Sequence, residues 1–488
     1  MNYRINIIGA GIAGLAASIR LASRGHRVTV FERNPGPGGK LNSMEWNGYR
    51  WDTGPTLFTL PDLVEELYVM AGEEMKISVR ARKLDPVCRY FYEDGRVLDA
   101  FGDPALFARE AEKVLGEPAS SIRRLLERRR RIFELTSDVF IFKNFRHAGT
   151  FLSQKAVKAI LQFRKLDAMV TMHDANRRDL KSDQVLQLFD RYATYHGSDP
   201  YRAPGTLNVI AHLEHNMGVY CPERGMYSLV TELKHLADKL GVVFHFNQPV
   251  EKVVMDRRIT RGVVVKGGIY PSDIVVSDID IFYLYRDLLE DVPFPAGYFK
   301  KEKSNSALVF FWAMDATFPR LGIHNVFFSK DHREEFRVLS LKQKIPVDPT
   351  VYIYISSKMV RSDAPEGKEN WHIMVNAPEN LGQDWDRLVE EARRSVLDKL
   401  GRILGVDMEP FILKEFVFDP RSMEATTGSY RGALYGNSSN SRLAVFSRHP
   451  NYLRRYGGLY FVGGSVHPGG GIPLCLASAR IVDQYIHR

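Results

Sequence analysis

The chain has 488 residues, 44% hydrophobic and 26% charged, with a formal net charge of +9. Those fractions lie near the globular average and exclude a disordered, collagen-like or coiled-coil protein, and no apolar run approaches the ~18–20 residues of a spanning helix. Three scattered cysteines, Cys88, Cys221 and Cys475, make neither a disulfide framework nor a zinc site and suit a reducing compartment, while the positive balance leaves nucleic acid, an anionic ligand or an anionic membrane surface open.

At roughly 100–200 residues per domain the length predicts two to four units. The first residues enter an apolar strand at once, so no targeting leader is expected. Arg4–Ile8 is a short apolar run ending at Gly9, the form of a buried parallel strand. Gly9-Ala10-Gly11-Ile12-Ala13-Gly14 follows, then Leu15–Ala22 with helical periodicity, then a second apolar run, Val28–Phe31, ending at Glu32. Strand, glycine turn, helix, strand and acid in that order form a dinucleotide fingerprint. Gly9 permits the tight turn, Gly11 lets a pyrophosphate approach the backbone, and Gly14 allows close helix–strand packing. The helix N-terminus offers N–H groups to the phosphates, so Ile12 and Ala13 count with the glycines as cofactor-binding. Glu32 is expected to accept hydrogen bonds from ribose hydroxyls.

Arg33-Asn34-Pro35-Gly36-Pro37-Gly38-Gly39-Lys40 adds a second glycine cluster with a cation, followed by Asp52-Thr53-Gly54-Pro55-Thr56. A plain nicotinamide fold needs no such element after its acid. A ribityl chain and isoalloxazine give it something to touch, so the expected cofactor is FAD, with Arg33, Gly38, Gly39, Lys40, Gly54, Pro55 and Thr56 in its site.

The stretch 105–215 carries the densest positive charge. Arg123-Arg124, Arg128–Arg131, Lys143, Arg146, Lys155, Lys158, Arg164 and Lys165 alternate with Phe133, Leu135, Val139–Phe142, Phe145, Phe151-Leu152, Val157, Ile160-Leu161 and Phe163. A basic amphipathic helix reads as a membrane-surface element; a charged helix packed on the core is the alternative. No nucleic-acid motif accompanies it.

Pro222–Val230 starts a helix running through Lys239, and Val242–Asn247 and Pro249–Val254 follow as strands. Ile274–Ser277 with Asp278 reads as another strand of the cofactor fold. From 291 to 425 the chain is rich in strand-like runs, among them Ser306–Trp312 and Val351–Ser356, suited to flooring a long apolar tunnel. Asp419, Arg421 and Glu424 precede the last segment and are the candidates for proton handling; a polar turn or interdomain ion pair is the other reading. Gly458–Gly464 is a strand ending in glycines, Ser465–Pro473 a turn-rich loop, and Leu474–Val482 a closing helix. Gly463, Gly464, Gly471, Ile472 and Pro473 are thus placed at a second helix N-terminus aimed at the cofactor. His467 either acts there or only shapes the loop. No metal-ligand spacing is present.

Three stretches carry a resemblance: Gly9 to Glu32, Gly38 to Thr56, and Phe461-Val462-Gly463-Gly464-Ser465-Val466-His467-Pro468-Gly469-Gly470-Gly471-Ile472-Pro473. They are similar to the bacterial carotenoid desaturases of the phytoene desaturase type, within the flavin amine oxidase-like superfamily. Gly464-Ser465 stand where the wider superfamily has an acid, a loss the desaturase branch shares. Ser304–Trp312, Phe318-Pro319, His324-Asn325 and Phe327–Asp331 resemble the branch that desaturates 1-hydroxycarotenoids at the 3,4 position.

The resemblance implies an α/β fold with a Rossmann-like FAD-binding domain (GR2 type) assembled from 1–75, 216–290 and 426–488, with Val250 near the adenine. It further implies an α+β substrate domain over 76–104 and 291–425, and a helical, membrane-associated insertion over 105–215. Phytoene or another acyclic carotene as substrate, a polyene saturase, and a non-enzymatic escort of prenylated proteins stay open. The expected partners are a long carotenoid, the cytoplasmic face of the cell membrane as a peripheral surface, and oxygen or a quinone as electron acceptor, with no nucleic acid.

Overall fold

The computed structural model describes residues 2–75, 81–142, 162, 166–442, 444 and 448–487. Five short strands form a parallel sheet in the order Leu459–Phe461, Ile274–Ser277, Arg4–Ile8, Arg27–Phe31, Val243–His245. Neighbours in this sheet come from distant parts of the chain: Ile5 pairs with Ile274, and Val275 pairs with Leu459. The helices Ile12–Ser23, Ser228–Lys239 and Ile472–Ile486 cover one face, sharing a core that includes Ile5, Leu15, Ile19, Leu229, Leu476 and Val482. The antiparallel strands Val250–Asp256, Ile259–Val265 and Gly268–Pro271 cover the other, through Ile8, Phe31, Val253, Val263 and Phe461. Burial on both faces explains why the Arg4–Ile8 and Ile274–Ser277 strands read as continuous apolar runs.

A second sheet has seven strands in the order Ile412–Phe418, Ser306–Met314, Glu369–Ala377, Val351–Tyr354, His324–Phe327, Cys88–Phe91, Val97–Ala100. All pairings are antiparallel except that of His324–Phe327 with Cys88–Phe91. Ser306–Met314 is buried throughout, and its faces part by the period of a strand. Leu308, Phe310, Trp312 and Met314 pack with Trp385, Ala392 and Val396 of the Trp385–Leu404 helix. Ala307, Val309, Phe311 and Ala313 pack with Tyr49 and Trp51 on the opposite side.

The helices Pro104–Leu115, Ala119–Phe140 and Asp183–Arg191 share a core with Tyr90, Leu98, Val326 and Tyr352 of this second sheet. The Arg128–Arg131 run is engaged by protein carboxylates. Arg129 is 0% exposed and gives hydrogen bonds to Asp167 at 3.0 Å and to Asn176 at 2.9 Å. Arg128 meets Asp167 and Asp179, and Arg130 and Arg131 meet Glu127. Arg129 is therefore not one of the lipid-facing cations the sequence suggested: its two terminal nitrogens are held inside the core by Asp167 and Asn176. Lys143, Arg146, Phe145, Phe151, Leu152, Lys155, Val157, Lys158, Ile160, Leu161, Phe163, Arg164 and Lys165 lie outside the described residues. Among the described residues no helix is long and apolar enough to cross a membrane.

Removing Arg129 leaves the Asp167 carboxylate short of its buried partner. Arg129→Ala is expected to cost about 3–5 kcal/mol in urea unfolding, whereas Arg131→Ala, at an exposed i,i+4 pair, is expected to stay within about 0.5 kcal/mol. Equal small losses for both would contradict the buried pairing.

Candidate functional site

The parallel strands end together, and their C-terminal edge is where α/β sheets hold ligands. After Arg4–Ile8 the chain turns at Gly9, whose φ of +98° lies in the region favouring glycine. A Cβ on Gly14 would come within 2.2 Å of the Gly9 carbonyl oxygen. That approach lets the Ile12–Ser23 helix start directly at the strand end, with its first N–H groups facing the crevice. At the end of the next strand, Glu32 accepts from the N–H of Ala10 at 2.8 Å and of Asn34 at 2.9 Å. Each carboxylate oxygen keeps a lone pair for a ribose hydroxyl.

The second glycine cluster closes on the first. The Gly38 N–H donates to the Ala10 carbonyl at 2.9 Å. Lys40 crosses the site and donates to the Leu434 carbonyl at 2.8 Å, and burial lowers its pKa. Arg33 donates to the carbonyls of Ala425 and Thr426, in the last turn of the Pro420–Thr427 helix, a favourable place for a cation. Asp52, 1% exposed, accepts from the N–H groups of Met226 and Tyr227 ahead of the Ser228–Lys239 helix. Arg50 joins Asp52 to Asp363, which ties the cofactor segment to the second sheet.

The third piece is C-terminal. Gly471 precedes the Ile472–Ile486 helix, and Gly464, Gly471, Ile472 and Pro473 line the same crevice. The result is one cavity of about 1440 Å³, larger than the roughly 300–1,000 Å³ of an ordinary small-ligand pocket. Gly9, Gly11, Ile12, Glu32, Arg33, Gly38, Gly39, Lys40, Gly54, Pro55, Thr56 and Val250 also line it. From this glycine cradle it continues between Ala307, Val309, Phe311 and Met374 of the second sheet and Leu207, Ile210 and Leu213 of the helical layer. The donor set fits a dinucleotide cofactor with a further ring system: two helix N-termini, an acid for ribose, and a glycine-lined floor beyond it.

Some expected residues stand behind the wall. Ala13, Gly14 and Gly463 are outside the lining; the Gly463 N–H donates to Ser478. Asp419 and Arg421 are also outside it. Asp419 caps the Pro420–Thr427 helix at the Ser422 N–H, and Arg421 pairs with Asp419 and Asp386. Glu424 does line the cavity, but it accepts from the Tyr283 hydroxyl, the Arg431 N–H and Asn380. These bonds hold it in the wall. His467 is buried and outside the lining.

Sequence reasoning missed Asp278, Asp280, Arg191, Tyr195 and Glu214 in the wall, whereas Tyr352 lies in the Val351–Ser356 run expected to floor the passage. Asp278 had a signal, since it follows an apolar strand of the parallel sheet. Arg191 had only a weak one, a cation closing a helix whose Val185, Leu188 and Phe189 are all buried. Asp278 accepts from the Gly14 N–H at 2.8 Å. Burial pushes its pKa up to about 7; nearby Glu32 adds to the rise, and the Gly14 hydrogen bond opposes it. Burial also raises Asp280, which accepts from the Phe282 and Tyr430 N–H groups.

Residues 12–486 match the family described as flavin containing amine oxidoreductase. The chain is 42% identical to a 1-hydroxycarotenoid 3,4-desaturase of Flavobacterium sp. (strain P99-3), over 98% of each chain. It is 31% identical to a 4,4'-diapolycopene oxygenase of Methylomonas sp., over 99% of this chain and 98% of that one. Among solved structures, putrescine oxidase bound to putrescine superposes with a TM-score of 0.64 at 15% identity over all of both chains. A fatty acid isomerase from P. acnes that produces CLA superposes with a TM-score of 0.63 at 16% identity, over 100% of this chain and 99% of that one. The chain belongs to the flavin-containing amine oxidoreductase family, and its cofactor is FAD.

Asp278 is expected to make FAD binding proton-linked. A carboxyl raised to about 7 by burial keeps its proton below that pH; above it, the carboxylate would add a negative charge at the helix N-terminus that would hold the cofactor's phosphates. FAD affinity is expected to fall as pH rises from 6 to 8, by about tenfold for each 1.4 kcal/mol of repulsion. Because the folded pKa is raised, the FAD-free protein should also lose stability from about pH 4 to about pH 7. Fluorescence titration of FAD against Asp278→Asn checks the first effect: the variant should bind equally at both pH values, and a wild-type affinity unchanged between them would refute it.

Proposed function

We propose that this flavoprotein is a carotenoid desaturase that introduces a C=C bond into an acyclic carotenoid, with a 1-hydroxycarotenoid desaturated at its 3,4 bond as the preferred substrate. The observation that carries the reading is the continuity of the cavity. The glycine cradle opens without a partition onto Val309, Phe311, Met374, Ile210 and Leu213, a passage suited to a long apolar chain. The 42% identity to a 1-hydroxycarotenoid 3,4-desaturase over almost the whole of both chains supports the choice of substrate.

FAD, when bound, supplies the hydride acceptor. The protein's task is placement. The floor strand Ser306–Met314 and the facing helical layer confine the polyene to one path, which sets the reacting bond against the cradle. The apolar lining keeps water from a carbon that has lost a hydride. The neighbouring double bonds spread the resulting positive charge, which acidifies the C–H bond that remains to be broken. Lys40, held across the cradle by the Ala433 and Leu434 carbonyls, fixes the loop before the last segment.

The reading includes a peripheral place on the cytoplasmic face of the cell membrane, with oxygen or a quinone as electron acceptor. What supports it is the solubility of the substrate: a carotenoid resides in the bilayer, and a protein that takes it up has to meet that surface.

Purified protein reconstituted with FAD should show flavin absorbance. With liposomes carrying a 1-hydroxycarotenoid it should yield a product two hydrogens lighter, with absorption at longer wavelength. Conversion of phytoene but not of the hydroxylated compound would replace the preferred substrate, a product two hydrogens heavier would make the protein a saturase, and failure to take up flavin would favour the escort-like alternative.

A further inference from the structure

Where the apolar passage approaches the cradle, one wall is polar. Arg191 is 6% exposed and lines the cavity at the end of the Asp183–Arg191 helix. Its guanidinium lies over three aromatic rings, Tyr90 at 5.9 Å, Tyr195 at 5.3 Å and Tyr352 at 5.8 Å. Among the described residues no carboxylate reaches ion-pair distance of it, and its one side-chain hydrogen bond is a long one, 3.5 Å to the Tyr195 hydroxyl. Nε and Nη2 meet no protein acceptor among those residues. A buried cation with unmet donors is costly to keep, and three π faces offset only part of that cost.

The counter-charge stands one residue away. Tyr195 donates to Glu214 at 2.8 Å, and Tyr192 donates to its other oxygen at 2.8 Å. Guanidinium, phenol and carboxylate thus form a relay that is neutral overall, which favours a neutral oxygen over an anionic ligand. Glu214 has lone pairs left for a donor, and Arg191 has donors left for an acceptor; a hydroxyl is both. The place is also fixed. Tyr352, under the guanidinium, hydrogen-bonds at 2.6 Å to Thr56, which follows Gly54-Pro55 in the cradle. In a 1-hydroxycarotenoid a single methylene separates the hydroxyl-bearing carbon from the bond to be desaturated, so an oxygen anchor has to lie beside the cradle rather than at the far end of the passage.

We infer that Arg191, with Tyr195 and Glu214, is the specificity-determining clamp for the tertiary hydroxyl of the substrate: Arg191 donates to the hydroxyl oxygen, and Glu214 receives its hydrogen. The inference rests on the proposed desaturase reading.

The test compares wild type, Arg191→Met and Arg191→Lys, each loaded with FAD and matched for flavin absorbance and melting temperature. The substrates, in liposomes, are a 1-hydroxycarotenoid, the same polyene without the hydroxyl, and one ending in a carboxylate. A hydrogen bond to a charged group contributes about 1.5–3 kcal/mol, so Arg191→Met should lower kcat/KM for the hydroxylated polyene by roughly 10–100-fold and for the plain one by less than about threefold. Arg191→Lys, which keeps charge and a donor, should fall between. Quenching of intrinsic fluorescence by the bound polyene should show the same loss of preference in affinity. Equal losses on both polyenes, an unchanged preference, or tighter wild-type binding of the carboxylate would overturn the clamp. If wild type desaturates neither polyene the desaturase reading fails, and the fluorescence titration still decides whether Arg191 recognises the hydroxyl.

Discussion

The pairing of Ile5–Ile8 with Ile274–Ser277 is the contact on which the molecule depends. It closes a loop of some 270 residues, yet the entropic cost of closure grows only as the logarithm of loop length. Once made, it brings the Gly9 turn beside Asp278 and leaves Ile274–Ser277 ready to receive Leu459–Phe461 on its other edge. Three glycine-bearing turns, remote in the chain, then open at one edge of one sheet. The intervening chain is free to build a second sheet, provided that it returns to the same edge.

Around that edge the protein keeps several ionisable groups out of water, and each has a distinct task. Asp52 holds the start of the Ser228–Lys239 helix, Lys40 secures the Ala433-Leu434 backbone, and Asp280 receives the Phe282 and Tyr430 N–H groups. All three are satisfied largely by backbone, which fixes loops rather than leaving charges loose. Arg191 differs: its surroundings are aromatic, and its unmet donors face the cavity. The interior is thus divided into a backbone-lined polar end for the cofactor and an apolar passage, with a small polar wall at their junction.

The cofactor half was legible because its constraints are local. Gly9, Gly11 and Gly14, and Gly471-Ile472-Pro473, act through turns and helix starts that occupy consecutive positions, and the strands Arg4–Ile8, Arg27–Phe31 and Ile274–Ser277 stand where the apolar runs placed them. The alternation in Ser306–Met314 was hidden, because both its faces are buried and the sequence shows one unbroken apolar run. Arg129 was misplaced among the exposed cations of its run for the opposite reason. Charge density along a helix does not disclose that Asp167, nearly forty residues later, comes back to bury Arg129. Asp419 and Arg421 were polar and close to the last cofactor segment, but proximity in sequence put them at a helix cap rather than in the wall. The Arg191–Tyr195–Glu214 relay joins a helix end to a later segment, so only the fold assembles it.

The Ser306–Met314 strand has a consequence for how such a protein changes over generations. Its even-numbered residues are committed to the Trp385–Leu404 helix, and the odd-numbered Ala307, Val309 and Phe311 to the passage. Mutations at the odd positions reshape what the passage admits and disturb the contacts with Tyr49 and Trp51, while the packing on the Trp385–Leu404 helix is inherited intact. An insertion or deletion of one residue would exchange the two sets and lose both at once. Substrate range in this lineage is therefore free to drift by substitution along one face of a strand, and closed to drift by change of length.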